Sequence, residues 1–210
     1  MAFNSVIFRE YDIRGVYEKD FDLKFAELLG RALVTYFAKQ KSLVSPNITI
    51  GYDARLSSPD IAKALTTGII SSGGNVFHLG LVTTPISYFS TFESPGIDGS
   101  IMVTGSHNPP EYNGFKTSVG KTTLFGDQIK ELEKIINSNE FLTGEGREKT
   151  IDIFPSYLSR YKKEFGSIRP IPLVLDCGNG AAGCIARKLY EVVGLNPHIL
   201  YEKPDGRFPN

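Results

Sequence analysis

Ser106 stands in the stretch Thr104-Gly105-Ser106-His107-Asn108-Pro109-Pro110, directly after the apolar run Gly99-Ser100-Ile101-Met102-Val103. A hydroxyl delivered by a buried strand is a candidate nucleophile, because loops at the C-terminal ends of strands in open α/β sheets gather ligands and reacting groups. Gly105 leaves space beside the serine, while Pro109-Pro110 and Asn113-Gly114 restrict the path of the loop. Two chemistries compete for such a residue. Acyl transfer needs a base within reach of Oγ, and neighbouring side chains in an extended loop diverge, so His107 is expected to be poorly placed for the proton of Ser106. The G-x-S-x-G elbow is also lacking, since Asn108 stands where its second glycine would fall. Phosphoryl transfer asks instead for positioning and for positive charge around an anionic transition state. Lys116, beyond the Asn113-Gly114 turn, is a cation that can fold back towards Ser106. From spacing alone, catalysis and a tight turn with a solvent-facing serine weigh equally.

The elements that would position this loop can be read around it. Asn47 to Asp53 is a short β-branched strand ending at an acid. Ser57-Ser58-Pro59-Asp60 offers a capping serine, an early proline and an acidic first turn. Ile61, Ala64, Leu65, Gly68 and Ile69 then recur at helical spacing until Gly73-Gly74. Asn75 to Leu79 is the next strand, Pro85 to Phe92 a helix, Gly99 to Val103 a buried strand and Tyr112 to Val119 a strand pairing nearby. A helix over Asp127 to Asn137 places Ile129, Leu132, Ile135 and Ile136 on one face.

The polar stretch 137–149, with Gly144 and Gly146, is expected to be a boundary. Beyond it lie a helix over Ile153 to Phe165, a strand over Ile171 to Asp176, a Gly-rich turn, a helix from Ala181 to Val193 and a strand near His198 to Tyr201. Strand-to-Asp53, helix, Gly74-Asn75, strand is echoed about 120 residues later by strand-to-Asp176, helix, Gly194-Leu195-Asn196, strand. The expectation is an α/β fold in two units: residues 1–150, a mixed sheet flanked by helices and carrying the serine loop, and residues 151–210, the incomplete start of a second similar domain. The closing Lys203 to Asn210 is turn-forming and completes no element.

Composition excludes several classes. Lys+Arg and Asp+Glu each number 23, so no net field draws nucleic acid or an anionic membrane. The 41% apolar content supplies a core. Met1 to Glu10 is not a signal peptide and no later stretch is long enough to span a bilayer, which gives a cytoplasmic expectation. Cys177 and Cys184 are expected as free thiols, and the three histidines are too scattered for a metal cluster. Gly178-Asn179-Gly180-Ala181-Ala182-Gly183 fits G-x-G-x-x-G between strand and helix, with Glu202 where a ribose-binding acid would stand. An NAD-binding enzyme is therefore one alternative, and a non-catalytic phosphosugar-binding module is another.

The run Thr104 to Lys116, Thr-Gly-Ser-His-Asn-Pro-Pro-Glu-Tyr-Asn-Gly-Phe-Lys, resembles the active-site signature of the α-D-phosphohexomutases, in the phosphomannomutase/phosphoglucomutase branch. Phe8-Arg9-Glu10-Tyr11-Asp12-Ile13-Arg14-Gly15 and Gly51-Tyr52-Asp53-Ala54-Arg55-Leu56-Ser57-Ser58 are similar to two earlier markers of that family. Leu175 to Gly183 and Asp205-Gly206-Arg207-Phe208-Pro209-Asn210 are similar to segments of its second domain. The resemblance implies an enzyme of four domains that interconverts hexose 1-phosphate and 6-phosphate of mannose and/or glucose through a phosphoserine and a hexose 1,6-bisphosphate. It implies Ser106 as phosphoryl carrier, Arg14 and Lys116 as catalytic and substrate-binding cations, and Tyr11 beside the bound sugar phosphate. Mg²⁺ would bind an oxygen of the Ser106 phosphate, its aspartate ligands and the sugar-reading loops falling after Asn210. The expectations that go with this are a monomeric full-length enzyme, association of the shorter chain, and little mutase activity from 210 residues alone. Without the motif, Arg14 reads as a surface arginine, Tyr11 as a strand aromatic, and Arg55 as a support of the fold paired with Asp53.

Overall fold

The computed structural model describes residues 3–210; Met1 and Ala2, which open the N-terminal stretch read above, lie outside the described residues. In chain order the elements are β1 (Ile13–Val16), α1 (Leu23–Lys41), β2 (Asn47–Tyr52), α2 (Ser58–Ser71), β3 (Asn75–Leu81), α3 (Thr84–Glu93), β4 (Gly99–Val103) and β5 (Tyr112–Val119). They continue as β6 (Thr122–Thr123), α4 (Asp127–Ser138), β7 (Glu148–Thr150), α5 (Phe154–Phe165), β8 (Val174–Asp176), α6 (Ala186–Glu191) and β9 (His198–Leu200).

The main sheet runs β1-β5-β4-β2-β3-β7, with β6 paired to β5. β4, β2, β3 and β7 are parallel, whereas β5 is antiparallel to both β4 and β1. The sheet is mixed, as expected. All five residues of β4 are buried, which fits an apolar run covered on both faces. The strand's two-residue period divides its side chains: Ile101 and Val103 join a core with α1, α2 and α4, while Met102 joins a second core with Val82, Ile86 and Ile153. Helices thus cover both faces, and each fully buried Ile or Leu contributes about 2 kcal/mol.

The helix α1 begins where Asp22 Oδ1 accepts from the Phe25 N–H at 2.8 Å and ends at Ser42 in the left-handed region, φ 54°. Its Phe25, Leu29, Leu33 and Phe37 are buried. Neither β1 nor α1 is among the elements read from the sequence. The expected cap at Ser57 does not form: its backbone is already helical, at φ −79° and ψ −19°, and its Oγ accepts instead from Asn113 Nδ2 at 2.9 Å.

The stretch expected as a boundary is bonded to the main sheet. Gly144 and Gly146 donate to the carbonyls of Ser71 and Ile70, and β7 pairs with β3 through Val76, Phe77 and His78. The last third is less regular than its apolar pattern implies. The strand expected from Ile171 starts at Val174, Pro172 having no N–H to give. The helix expected over 181–193 breaks into a 3-10 turn at Ala181–Cys184 and the short α6. Between them Ile185, at φ −141°, is drawn into the core with Ile86 and Met102. β8 and β9 form a separate parallel pair, and Cys177 and Cys184 are free thiols.

Candidate active site

The C-terminal ends of β2 and β4 lie side by side, Tyr52 opposite Val103, so the chain leaves both strands into one cluster. From β2 comes Asp53. Its Oδ2 accepts from Thr104 Oγ1 at 2.7 Å, Gly105 N at 3.3 Å and Arg55 Nε at 3.1 Å. Its Oδ1 accepts from Arg55 N at 3.0 Å and from Ser58 Oγ at 2.7 Å. Thr104 Oγ1 in turn accepts from Ser106 N at 2.9 Å. One carboxylate therefore fixes the start of the turn that presents the serine.

Arg55 completes the bracket. The residue is only 2% exposed. Its Nη1 donates to the carbonyls of Pro109 and, at 2.9 Å, Tyr112; its Nη2 donates to those of Ser106 at 3.1 Å and Asn108 at 2.7 Å. With Nε on Asp53, the whole guanidinium fork is satisfied, as a buried cation requires. The absence of a side chain at Gly105 is what admits it, since a Cβ there would lie 2.4 Å from Arg55 Cζ. The reading of Arg55 as a support paired with Asp53 matches this geometry, although its main partners are loop carbonyls that no sequence pattern displays.

Held in this way, Ser106 is exposed and left-handed, at φ 56°. A non-glycine residue there is uncommon and costs on the order of 1 kcal/mol, so its persistence points to a positioned side chain. This conformation overturns the expectation for His107: its Nδ1 lies 3.3 Å from Ser106 Oγ. Divergence of adjacent side chains holds for extended backbone, and Ser106 is not extended. The serine faces a cleft of about 350 Å³ lined by Thr83, Thr104, Ser106, His107, Gly180 and Phe208 among others.

The two expected cations meet on a residue the sequence reading did not single out. Antiparallel pairing of β1 with β5 sets Arg14 opposite Gly114 and Ile13 opposite Phe115, one residue before Lys116. Arg14 Nη2 and Lys116 Nζ both donate to Asp12 Oδ2, the lysine at 3.1 Å. Arg14 Nη1 donates to Asn108 Oδ1 at 2.8 Å, two residues beyond Ser106. Burial raises the Asp12 pKa, but the Arg14 and Lys116 bonds outweigh it and hold the carboxyl below its usual range. Arg14 Nε is buried with no partner among the described residues. Tyr11 lies in a bend just before β1 and is 72% exposed, so it is no strand aromatic. Asp12 adjoins Tyr11 and lies two residues before Arg14, but its role depends on the β1–β5 pairing.

The glycine-rich turn that could suit a dinucleotide is occupied by the chain itself. Asn179 Nδ2 donates to the Lys203 carbonyl at 2.9 Å, and its Oδ1 accepts from Asn210 Nδ2 at 3.0 Å. Glu202, the candidate ribose ligand, pairs with Arg187 through two bonds of 3.0 and 2.6 Å. The NAD reading is not favoured.

Comparison with known proteins places this geometry among relatives. Residues 5–143 match the family model described as phosphoglucomutase/phosphomannomutase, alpha/beta/alpha domain I. The chain is 39% identical over 204 residues to a phosphomannomutase/phosphoglucomutase of Pseudomonas aeruginosa, covering 97% of this chain and 43% of that protein. It is 39% identical to a phosphoglucomutase of Neisseria meningitidis serogroup B, over 97% of this chain and 44% of the relative. The crystal structure of a phosphoglucomutase/phosphomannomutase family protein from Burkholderia thailandensis superposes with a TM-score of 0.91 at 37% identity, over 100% of this chain and 46% of that one. The chain thus spans less than half the length of these relatives. On the family match and on identity across nearly its whole length, it belongs to the phosphoglucomutase/phosphomannomutase family, of which it represents the N-terminal part.

Proposed function

We propose that Ser106 is the phosphoryl carrier of a hexose-phosphate mutase acting on mannose and/or glucose phosphates. The observation that carries this reading is the linkage of Arg14 to both Asn108 and Asp12, with Lys116 on the same carboxylate oxygen. Through the Asn108 side chain it ties the cation pair to the loop that presents the serine hydroxyl. A phosphoserine carries close to two negative charges at neutral pH and needs such cations around it.

In the first step a substrate hydroxyl attacks the phosphorus of phospho-Ser106. The new sugar O–P bond forms as the Oγ–P bond breaks, the hydroxyl gives up its proton and Oγ regains one. His107 Nδ1, within hydrogen-bond reach of Oγ, is suited to hold that proton. The product is a hexose 1,6-bisphosphate. After it turns over in the site, the second half runs the same exchange in reverse from its other phosphate. Arg14 and Lys116 stabilise the charge on the transferring group, and the exposed Tyr11 ring contacts the sugar phosphate.

Mg²⁺ is the ion expected to supply further charge neutralisation at the phosphate. The residues of this chain do not make its site by themselves. Among the described residues no three His, Cys, Asp or Glu side chains stand together, and the carboxylates of Asp12 and Asp53 are engaged by Arg, Lys, Thr and backbone groups. An oxygen of the Ser106 phosphate would be the chain's one ligand, the others lying in sequence that only the longer relatives span. Residues 1–150 and 151–210 are proposed as a serine-carrying domain and the start of a second. Hexose phosphates are the proposed partners, the longer enzyme acting as a cytoplasmic monomer; no helix among the described residues is long and apolar enough to cross a membrane.

Incubation of the longer enzyme that contains this chain with hexose 1,6-bisphosphate and Mg²⁺, followed by peptide mapping, tests the assignment. Phosphate is expected on the Ser106 peptide and absent from Ser106→Ala. Equal labelling of both proteins would remove Ser106 from the reaction.

A further inference from the structure

The segment Asp205 to Asn210, which completes no strand or helix, is seated against the support of the serine loop. Gly206 is buried, and a Cβ there would lie 2.4 Å from the Ala54 carbonyl oxygen and 2.6 Å from Leu56 N, on either side of Arg55. Two residues on, the Phe208 ring centroid stands 5.4 Å from Arg55 Cζ. That distance is within the range of a cation–π contact, the stronger for a desolvated guanidinium. Phe208 holds a left-handed φ of 47°, a cost for an aromatic residue that surrounding contacts must offset. Those contacts are present. Phe208 N and Asp205 N donate to the carbonyls of Asp205 and Asn179, and the Asn210 side chain bonds that of Asn179. Arg207 holds the Asp205 carboxyl well below its usual range, at about 2.

Every donor of the Arg55 fork is in the plane of the guanidinium and already bonded, four of them to the chain from Ser106 to Tyr112. The contact left to it beyond those bonds is with the Phe208 ring, over which Arg55 Cζ lies. Phe208 also lines the cleft into which Ser106 opens.

We propose that Phe208 is a positioning residue for phosphoryl transfer. Its ring, carried by a turn from the last third of the chain, packs against the Arg55 guanidinium and thereby fixes the four carbonyls that hold Ser106 in its left-handed conformation. This rests on the reading of Ser106 as phosphoryl carrier, but its physical content is the coupling between residue 208 and the loop 104–112.

Hydrogen–deuterium exchange on the 210-residue chain tests that coupling without any chemistry at Ser106. In Phe208→Ala the amides of 105–112 should exchange about tenfold faster, with those of β2, β4 and α1 unchanged. Phe208→Tyr, which keeps the ring, should restore protection; Phe208→Leu, which keeps bulk without a π face, should not. Unchanged exchange at 105–112 in Phe208→Ala, faster exchange throughout the chain in that variant, or full rescue by leucine would each overturn the proposal. Labelling of Ser106 from hexose 1,6-bisphosphate is read in parallel in the longer enzyme that contains this chain. The rate constant at saturating donor should fall about tenfold in Phe208→Ala with the half-saturating concentration moved less than about twofold; the opposite split would also overturn it. If the unaltered longer enzyme takes no phosphate, the carrier reading fails while exchange still decides the coupling.

Discussion

Lys116 Nζ meets the Asp12 carboxylate at 3.1 Å across 104 residues of sequence, on the same oxygen that accepts from Arg14. A shared carboxylate lets two like charges stand together beside the serine loop, because it offsets their repulsion and fixes both side chains. The cation pair is thus a consequence of β1 pairing with β5, rather than of two residues that happen to be near.

Asp12→Asn should therefore impair transfer although Asp12 itself receives no phosphate. The amide keeps the shape and removes the charge, so Arg14 and Lys116 are free to separate. Labelling of Ser106 should slow by about 10- to 100-fold, with circular dichroism unchanged. Stability should carry a pH signature as well. Because the folded carboxyl lies below its reference value of 3.8, the folded chain binds that proton less readily than the unfolded one. The contribution of Asp12 is fully present above the unfolded value and disappears as pH falls through the folded value. Urea midpoints of the wild type and Asp12→Asn should differ at pH 6 and converge towards pH 3.

Arg55→Met removes the bracket. It leaves Asp53 without its buried cation and strips a donor from each of four loop carbonyls. The expected loss is about 3 kcal/mol of unfolding free energy, read from urea denaturation. A loss within about 0.5 kcal/mol of zero would mean that the loop holds itself.

Gly105→Ala tests the same contact from the other side. The added methyl would lie 2.4 Å from Arg55 Cζ and must displace the guanidinium or the loop. A destabilisation of about 1–3 kcal/mol is expected, together with loss of Ser106 labelling. Retention of full stability and labelling would show that the bracket has slack.

A coupled assay for interconversion of hexose 1-phosphate and 6-phosphate should find little or no turnover with these 210 residues. The chain spans 43% of its Pseudomonas aeruginosa relative, and the metal ligands and sugar-reading groups are proposed to lie in the remainder. Turnover comparable to that of the longer relatives would reject this division of labour.

Much of the scaffold was legible because its strands are continuous apolar or β-branched runs. Gly99–Val103 and Tyr112–Val119 have the boundaries read from sequence, and Asp53 and Ser106 stand at strand ends as expected. β1 was not read, since four residues that include Gly15 make a strand only when β5 supplies the partner. The helix α1 carries a signal in the sequence, with Phe25, Leu29, Leu33 and Phe37 at spacings of four behind the Asp22 cap. Within the site, Ser106, Arg14 and Lys116 were legible as residues, but Asp12 was not, because the bond that defines it joins two strands distant in sequence. His107 departs from expectation for a local reason: divergence of adjacent side chains assumes extended backbone, and the left-handed φ of Ser106 brings the two together.

The most direct test of the central claim is a phosphate chase at Ser106. The longer enzyme that contains this chain is first charged with hexose 1,6-bisphosphate and Mg²⁺, then mixed with unlabelled hexose 1-phosphate and followed by mass spectrometry. The expected result is one phosphate on the Ser106 peptide that is lost as hexose 1,6-bisphosphate accumulates. A serine that stays unmodified under charging, or a phosphate that persists through the chase, would contradict the role of Ser106 as phosphoryl carrier.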